Sequence, residues 1–303
     1  MNWFNIINDL EKVDGDVYDR FSTRRKAMAS VAEMGKKVTM ASMPLFLASA
    51  FQKAYGKSSE TVVQVLQYAL YLEHLENEFY KLAKAALPNL SGVPALAASA
   101  FDTIQRHEQQ HVSLLTGVIT SLNGTPARLG IDFDIDPTGG KGNGGGPFGV
   151  VLTDYSLLLL AAQMFEDTGV RAYKGRAGEL IGDPNGALTV ALQIHSVEAR
   201  HASHIRQMRK AAGANVDPWI TRNLGDIPAA ADPAIKAAAA LIYGGEEKST
   251  QGSPTVNIVG TGVDLDQASE AFDETLTPAV VLQIVGDPAA ARGSAAAGFL
   301  FKP

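Results

Sequence analysis

The chain has 303 residues, with 26 Lys+Arg against 32 Asp+Glu and no cysteine. A formal net charge of −6 supplies no global basic field for nucleic acid, and 46% apolar with 19% charged residues is a globular balance. Without thiols, disulfide frameworks, thiolate zinc sites, iron–sulfur clusters and cysteine nucleophiles are excluded, so any metal must sit on carboxylates and the six histidines.

Near the start, Arg24-Arg25 and Lys36-Lys37 precede an apolar run over 38–51, VTMASMPLFLASAF. Its length suits the apolar region of a twin-arginine export signal, but the arginines lie well upstream and acidic residues precede them. The favoured reading is a cytoplasmic chain in which residues 1–57 form a helical extension docked on the main domain or on a neighbouring subunit; export is the alternative. No stretch is long and apolar enough to suggest a membrane-spanning helix.

Residues 61–87 place Val62, Val65, Leu66, Ala69, Leu72, Phe79, Leu82, Ala83 and Ala86 at helical spacing. Ser58-Ser59-Glu60 offers N-cap chemistry and Pro88 a stop. A short connection leads to a second helix reaching about residue 122, closed by Asn123-Gly124, and so short a link implies antiparallel neighbours. Residues 124–149 form a long connector containing GGKGNGGGPFG, which lacks the Gly-Lys-Ser/Thr of a phosphate loop. Asp132, Asp134 and Asp136 resemble the start of a calcium loop, but Pro137 and Asn143 stand where its Gly and bidentate Glu belong. Helical pattern resumes over 153–174 and 186–212. Two helix pairs joined by one long crossover, over 58–215, give an all-α fold with the layout of a ferritin-like four-helix bundle. Residues 216–303 read as a mixed C-terminal extension packed on it. They offer an Ala-rich helix at 229–243, one strand candidate within 244–264, and one or two short helices over 266–285.

The chemistry lies in four segments. HEQQH on the second helix sets Glu108 and His111 three apart, and HSVEARH on the fourth does the same for Glu198 and His201. Three residues turn a helix by about 60° and rise about 4.5 Å, so each pair can reach one point in a bundle core. The first helix holds Glu73 and Glu76 within LEHLENEF, and the third holds Glu166 within MFEDTGV. Glu73 to Glu108 spans 35 residues and Glu166 to Glu198 spans 32, so each half supplies one lone carboxylate and then a Glu-x-x-His. That arrangement builds a carboxylate-bridged di-metal centre, and oxygen ligands with two imidazoles suit iron or manganese. Glu73 takes the first-helix role, with Glu76 as a second carboxylate beside it. Nine residues apart, His195 and His204 face opposite sides of the helix and cannot both be ligands; symmetry with Glu108/His111 selects Glu198/His201. His74 and His107 read as supporting or exposed residues, Arg200 and Arg206 as surface, and Tyr68, Tyr71 and Tyr173 as core.

LQYALYLEHLENEFY (66–80), HEQQH, FEDTGVRAYKG (165–175), VEARHASHIR (197–206) and AFDETLTPAVVLQIV (271–285) together resemble the bacterial ferritin-like proteins related to plant desiccation-related proteins. The resemblance implies a ferritin-like bundle and metal-ligand roles for Glu73, Glu108, His111, Glu166, Glu198 and His201. Two iron or manganese ions per chain would then react with O2 or H2O2, as a ferroxidase or a peroxide-consuming enzyme in stress protection. Extensions on both sides of the bundle disfavour a storage cage, and a homo-oligomer is expected. The rival reading is a stress-associated structural or self-assembling protein with the bundle as scaffold and no turnover.

Overall fold

The computed structural model describes residues 61–129, 149–229, 231–251, 255–260 and 262–285. The 1–57 extension with its arginine pair, Asp132, Asp134 and Asp136, and nearly all of the glycine-rich crossover lie outside the described residues.

Four long helices come first in the described chain: α1 (Val62–Ala86), α2 (Ala97–Ser121), α3 (Tyr155–Ala177) and α4 (Ala187–Ala211). The cap of α1 is Thr61 rather than Ser58–Glu60. Its hydroxyl accepts from the Gln64 backbone N–H at 3.3 Å, while the Gln64 side chain accepts from the Thr61 N–H at 2.7 Å. This capping box satisfies two donors that the first turn leaves orphaned. Asp154 caps α3 by accepting from Leu157 N–H at 2.9 Å. Asn123, in the left-handed region at φ 60°, turns the chain out of α2, and Gly124 then packs where a Cβ would sit 2.8 Å from Ile119 and Val63. That contact places the end of α2 beside the start of α1, so the pair is antiparallel. The closest partners are α1 with α2 and α3 with α4, and α1 meets α3 while α2 meets α4 across the bundle.

The C-terminal part adds α5 (Pro233–Tyr243), an antiparallel pair β1 (Thr250–Gln251) and β2 (Val256–Asn257), α6 (Leu265–Ala271) and α7 (Pro278–Val285). The single strand candidate is thus two short strands, paired Thr250 to Asn257 and Gln251 to Val256. One hydrophobic cluster runs from Leu75, Phe79 and Phe101 through Leu159 and Phe165 to Ile235, Ile242, Val281 and Ile284, so α5 and α7 share the core of the bundle.

This arrangement buries α3 on every side: all residues from Leu158 to Tyr173 are buried. One stripe of α3 carries Glu166 and Tyr173 towards α1, α2 and α4. Another carries Gln163, Asp167, Arg171 and Lys174 towards the C-terminal part, at steps of three or four that share a helix face. Gln163 donates to Gly225 C=O (2.8 Å) and to the Tyr243 hydroxyl (2.9 Å), and Tyr243 donates to Asp167 (2.7 Å). Arg171 is fully buried. It donates to the carbonyls of Ile242, Gly244 and Glu274 and pairs with Glu246 at 2.7 Å, so its charge is matched and its donors are used. Lys174 donates to Asp273 C=O, and Leu276 N–H donates to Arg171 C=O. The AFDETLT segment is therefore a strap whose backbone is tied along α3. Arg206, expected at the surface, is 1% exposed, because Asp167 (2.6 Å) and Asp226 (2.9 Å) enclose it. Its acidic partners come from two other parts of the chain, which nothing local in α4 reveals.

Candidate metal centre

All six proposed ligands are buried, with Glu73, Glu108, Glu166 and Glu198 at 0%, His111 at 7% and His201 at 5% exposure. Their side chains converge as two sets. Glu73, Glu108, His111 and Glu198 form one, and Glu108, Glu166, Glu198 and His201 form the other, each with one ligand atom per residue inside 4.8 Å. Glu108 and Glu198 belong to both. His111 Nδ1 lies 2.9 Å from Glu73, 3.0 Å from Glu108 and 3.1 Å from Glu198. His201 Nδ1 lies 2.9 Å from Glu108 and 3.3 Å from Glu166. A ring nitrogen carries at most one hydrogen, so neither imidazole can satisfy its whole ring of oxygens.

The arrangement leaves an electrostatic deficit. Glu108 Oε1, Glu166 Oε2, both oxygens of Glu198 and His201 Nδ1 are buried without a hydrogen-bond partner, although several stand within 3.3 Å of one another. Such atoms face a common point without directing a hydrogen along the line, and each buried orphan is costly. Burial pushes Glu73 up to about 7 against the pull of His111. Glu76 and Glu198 are raised well above the usual carboxylate range, by burial first and then by a facing carboxylate, Glu198 for the one and Glu108 for the other. Glu108 goes down to about 2; burial opposes this, but hydrogen bonds to His111 and His201 outweigh it. Burial pulls both histidines down, yet the carboxylates prevail, lifting His201 to about 11 and His111 further. The donor set fits cations: the charge of two divalent ions balances four carboxylates, and deprotonated imidazoles would turn their free lone pairs inward.

Tyrosines complete the arrangement. Tyr80 on α1 donates to Glu166 on α3, and Tyr173 on α3 donates to Glu73 on α1. Each tyrosine stands seven residues after the glutamate of its own helix, a repeat visible as Glu73…Tyr80 and Glu166…Tyr173. Reading Tyr173 as core is right for burial and omits its hydroxyl; Tyr80 was missed, and the matched seven-residue step is the signal that finds it. Glu76 is 2% exposed, and its Oε2 is unpartnered. Its counterpart in the repeat is Gly169, where a Cβ would lie 3.0 Å from Glu76 Oε1 and 3.4 Å from Glu198 Oε2. The missing side chain on α3 makes the room that the extra carboxylate on α1 occupies. His107 is half-buried and its Nδ1 stands 2.9 Å from His201 Nε2, which leaves His201 Nδ1 facing the carboxylates. His204 is exposed, whereas His74 and His195 are half-buried and belong to neither set.

Fold and cluster together define a class: a helical bundle with a buried carboxylate–histidine constellation compatible with bound metal ions. Residues 61–211 match the family model of the ferritin-like domain, from the Thr61 cap to the last residue of α4, and the chain is a ferritin-like domain protein. No curated protein and no solved structure matches the chain.

Proposed function

We propose that the chain is a di-metal carboxylate protein of iron or manganese that reacts with O2 or H2O2, as a ferroxidase or a peroxide-consuming enzyme. The observation that carries the reading is the pair of donor sets sharing Glu108 and Glu198. Glu73 and His111 would serve one ion, Glu166 and His201 the other, with the shared carboxylates between them. Bound ions would supply a redox couple and open positions for a small oxidant. The chain's own residues prepare that chemistry. Tyr80 and Tyr173 fix the orientation of Glu166 and Glu73, and His107 fixes that of His201. Phe79 and Phe165, stacked at 4.4 Å and with Phe79 edge-on to Tyr80, pack apolar surface of the bundle core beside that tyrosine.

The AFDETLTPAVVLQIV segment supports placing the chain in the desiccation-related branch, and with it a part in stress protection. A homo-oligomer is also proposed, since Trp219 (43% exposed) and Phe272 (45%) leave apolar surface for contacts between copies. Elemental analysis of protein purified without chelator tests the metal reading, beside a Glu198→Ala/His201→Ala variant. About two iron or manganese per chain, lost in the variant, is the expected result. A folded chain that takes up neither metal when supplied would leave the bundle as a scaffold.

A further inference from the structure

A groove of about 590 Å³ runs between α2 and α4 on the outer side of His201. Its apolar strip comes from Leu96, Ala100, Ile104 and Val197. The polar lining includes His107, Arg200, His201, Ser203 and His204, and no carboxylate is among the lining residues. Among the described residues, Arg200 and His204 make no hydrogen bond or ion pair, whereas most other arginines of the bundle are engaged. Thr103 on the α2 wall accepts from Arg106, which is not a lining residue, at 3.2 Å. The α4 wall thus brings a guanidinium, with imidazole and hydroxyl donors around it. A cleft with that chemistry attracts an oxyanion, since arginine presents a planar fork of donors to carboxylate or phosphate. The volume far exceeds one inorganic oxyanion, and the apolar strip calls for a hydrocarbon or aromatic portion.

We propose that the α2–α4 groove binds a small organic molecule bearing a phosphate or carboxylate, the anion on Arg200 and His204 and the apolar part on the Leu96–Val197 strip. The anion and the apolar part are assigned to Arg200, His204 and the apolar strip, none of them a proposed metal ligand, although His201 also lines the groove. The consequence of binding reaches the centre through two lining residues, His201 itself and His107, which touches His201 at 2.9 Å. A ligand that moves His107 would therefore change metal affinity, and metal would change the affinity for that ligand by the same factor.

The test uses the full metal-free chain and side-chain NMR of its histidines, titrated with phenyl phosphate, inorganic phosphate, benzoate and phenol. Expected are saturable shifts of the His107 and His204 signals with phenyl phosphate or benzoate. Inorganic phosphate and phenol, each carrying half of the recognition, should bind about tenfold or more weakly. Arg200→Ala and the Arg200→Ala/His204→Ala variant should weaken phenyl phosphate and benzoate by about tenfold while the fold, read by circular dichroism, stays unchanged. Preference between those two probes identifies the anion. Shifts that never saturate, binding undiminished in the variants, or phenol binding as well as phenyl phosphate would each overturn the proposal. Because every titration is done without metal, a chain that binds no metal leaves this result standing on its own.

Discussion

Gly175 tests the claim that the C-terminal strap is pressed onto α3. An added Cβ would stand 2.1 Å from the Leu276 carbonyl oxygen and 3.3 Å from its carbonyl carbon. An ordinary contact needs roughly 3.2 Å, so helix and strap must separate by about 1 Å. Neither yields freely. Leu276 N–H is bonded to Arg171 C=O at 3.2 Å, Glu274 N–H to Glu246 at 2.8 Å, and Glu274 C=O to Arg171 at 2.8 Å. Lengthening two or three such bonds costs ~1 kcal/mol each, with a further cost if Arg171 loses a partner for its buried charge. Against this, replacing glycine by alanine inside a helix favours folding by ~1 kcal/mol. The balance for Gly175→Ala is a net loss of ~1–3 kcal/mol. Gly117, exposed in α2 with nothing within 4 Å of its added Cβ, is the control. Gly117→Ala should stabilise by ~0.5–1 kcal/mol, since only the propensity term remains. Urea denaturation of both variants without metal measures the contrast. A Gly175→Ala chain as stable as wild type would refute the tight strap.

Gly169→Ala pushes a methyl to 3.0 Å from Glu76 and 3.4 Å from Glu198, both ends of side chains that can swing. Stability should change by less than ~1 kcal/mol, while affinity for Mn²⁺ in a chelator competition drops about tenfold; undisturbed affinity would show that Glu76 and Glu198 need no fixed placement. Tyr80→Phe and Tyr173→Phe remove one donor each, from Glu166 and from Glu73. Each should weaken a different one of two Mn²⁺ binding steps, and identical effects would count against two distinct positions. Finally, Glu73, raised to about 7, joins Glu76, Glu198, His111 and His201 in holding protons more tightly than usual without metal. Ligation needs deprotonated groups, so loading Mn²⁺ at pH 7 should release about two or more protons per chain, and affinity should fall as pH drops through 7. An indicator dye in weak buffer reads the release; its absence would mean that the cluster does not ligate.

The convergence of Glu73, Glu108, His111, Glu166, Glu198 and His201 is legible because helix geometry turns a three-residue spacing into a shared face, and four such faces in order leave few other arrangements. What the chain conceals is of another kind. Arg206 and Arg171 look like solvated charges, because their partners Asp226, Glu246 and the strap carbonyls lie far along the sequence and in segments of weak periodicity. The strap itself cannot be read from AFDETLT, since its contacts with α3 are made mostly by backbone atoms, which any residue supplies. Gly169 and Gly175 pass for ordinary small residues in a helix until the neighbouring carboxylates and carbonyl come close.

The repeat in the bundle also shows where its two halves stop being equal. Glu73 and Glu166, Glu108 and Glu198, His111 and His201, and Tyr80 and Tyr173 pair off, but Glu76 answers to Gly169 and His107 to Val197. The first inequality adds a buried carboxyl group beside Glu198, which both donor sets share, so it adds one more oxygen donor next to the whole centre. The second acts on one side alone. His107 couples His201 to the α2–α4 groove, whereas His111 does not line that groove. The two donor sets therefore differ in what lies behind the imidazole: His201 reaches the α2–α4 groove directly and through His107, whereas His111 does not line it. A difference of that kind would let two ions, if held by these sets, differ in their properties without changing a single ligand.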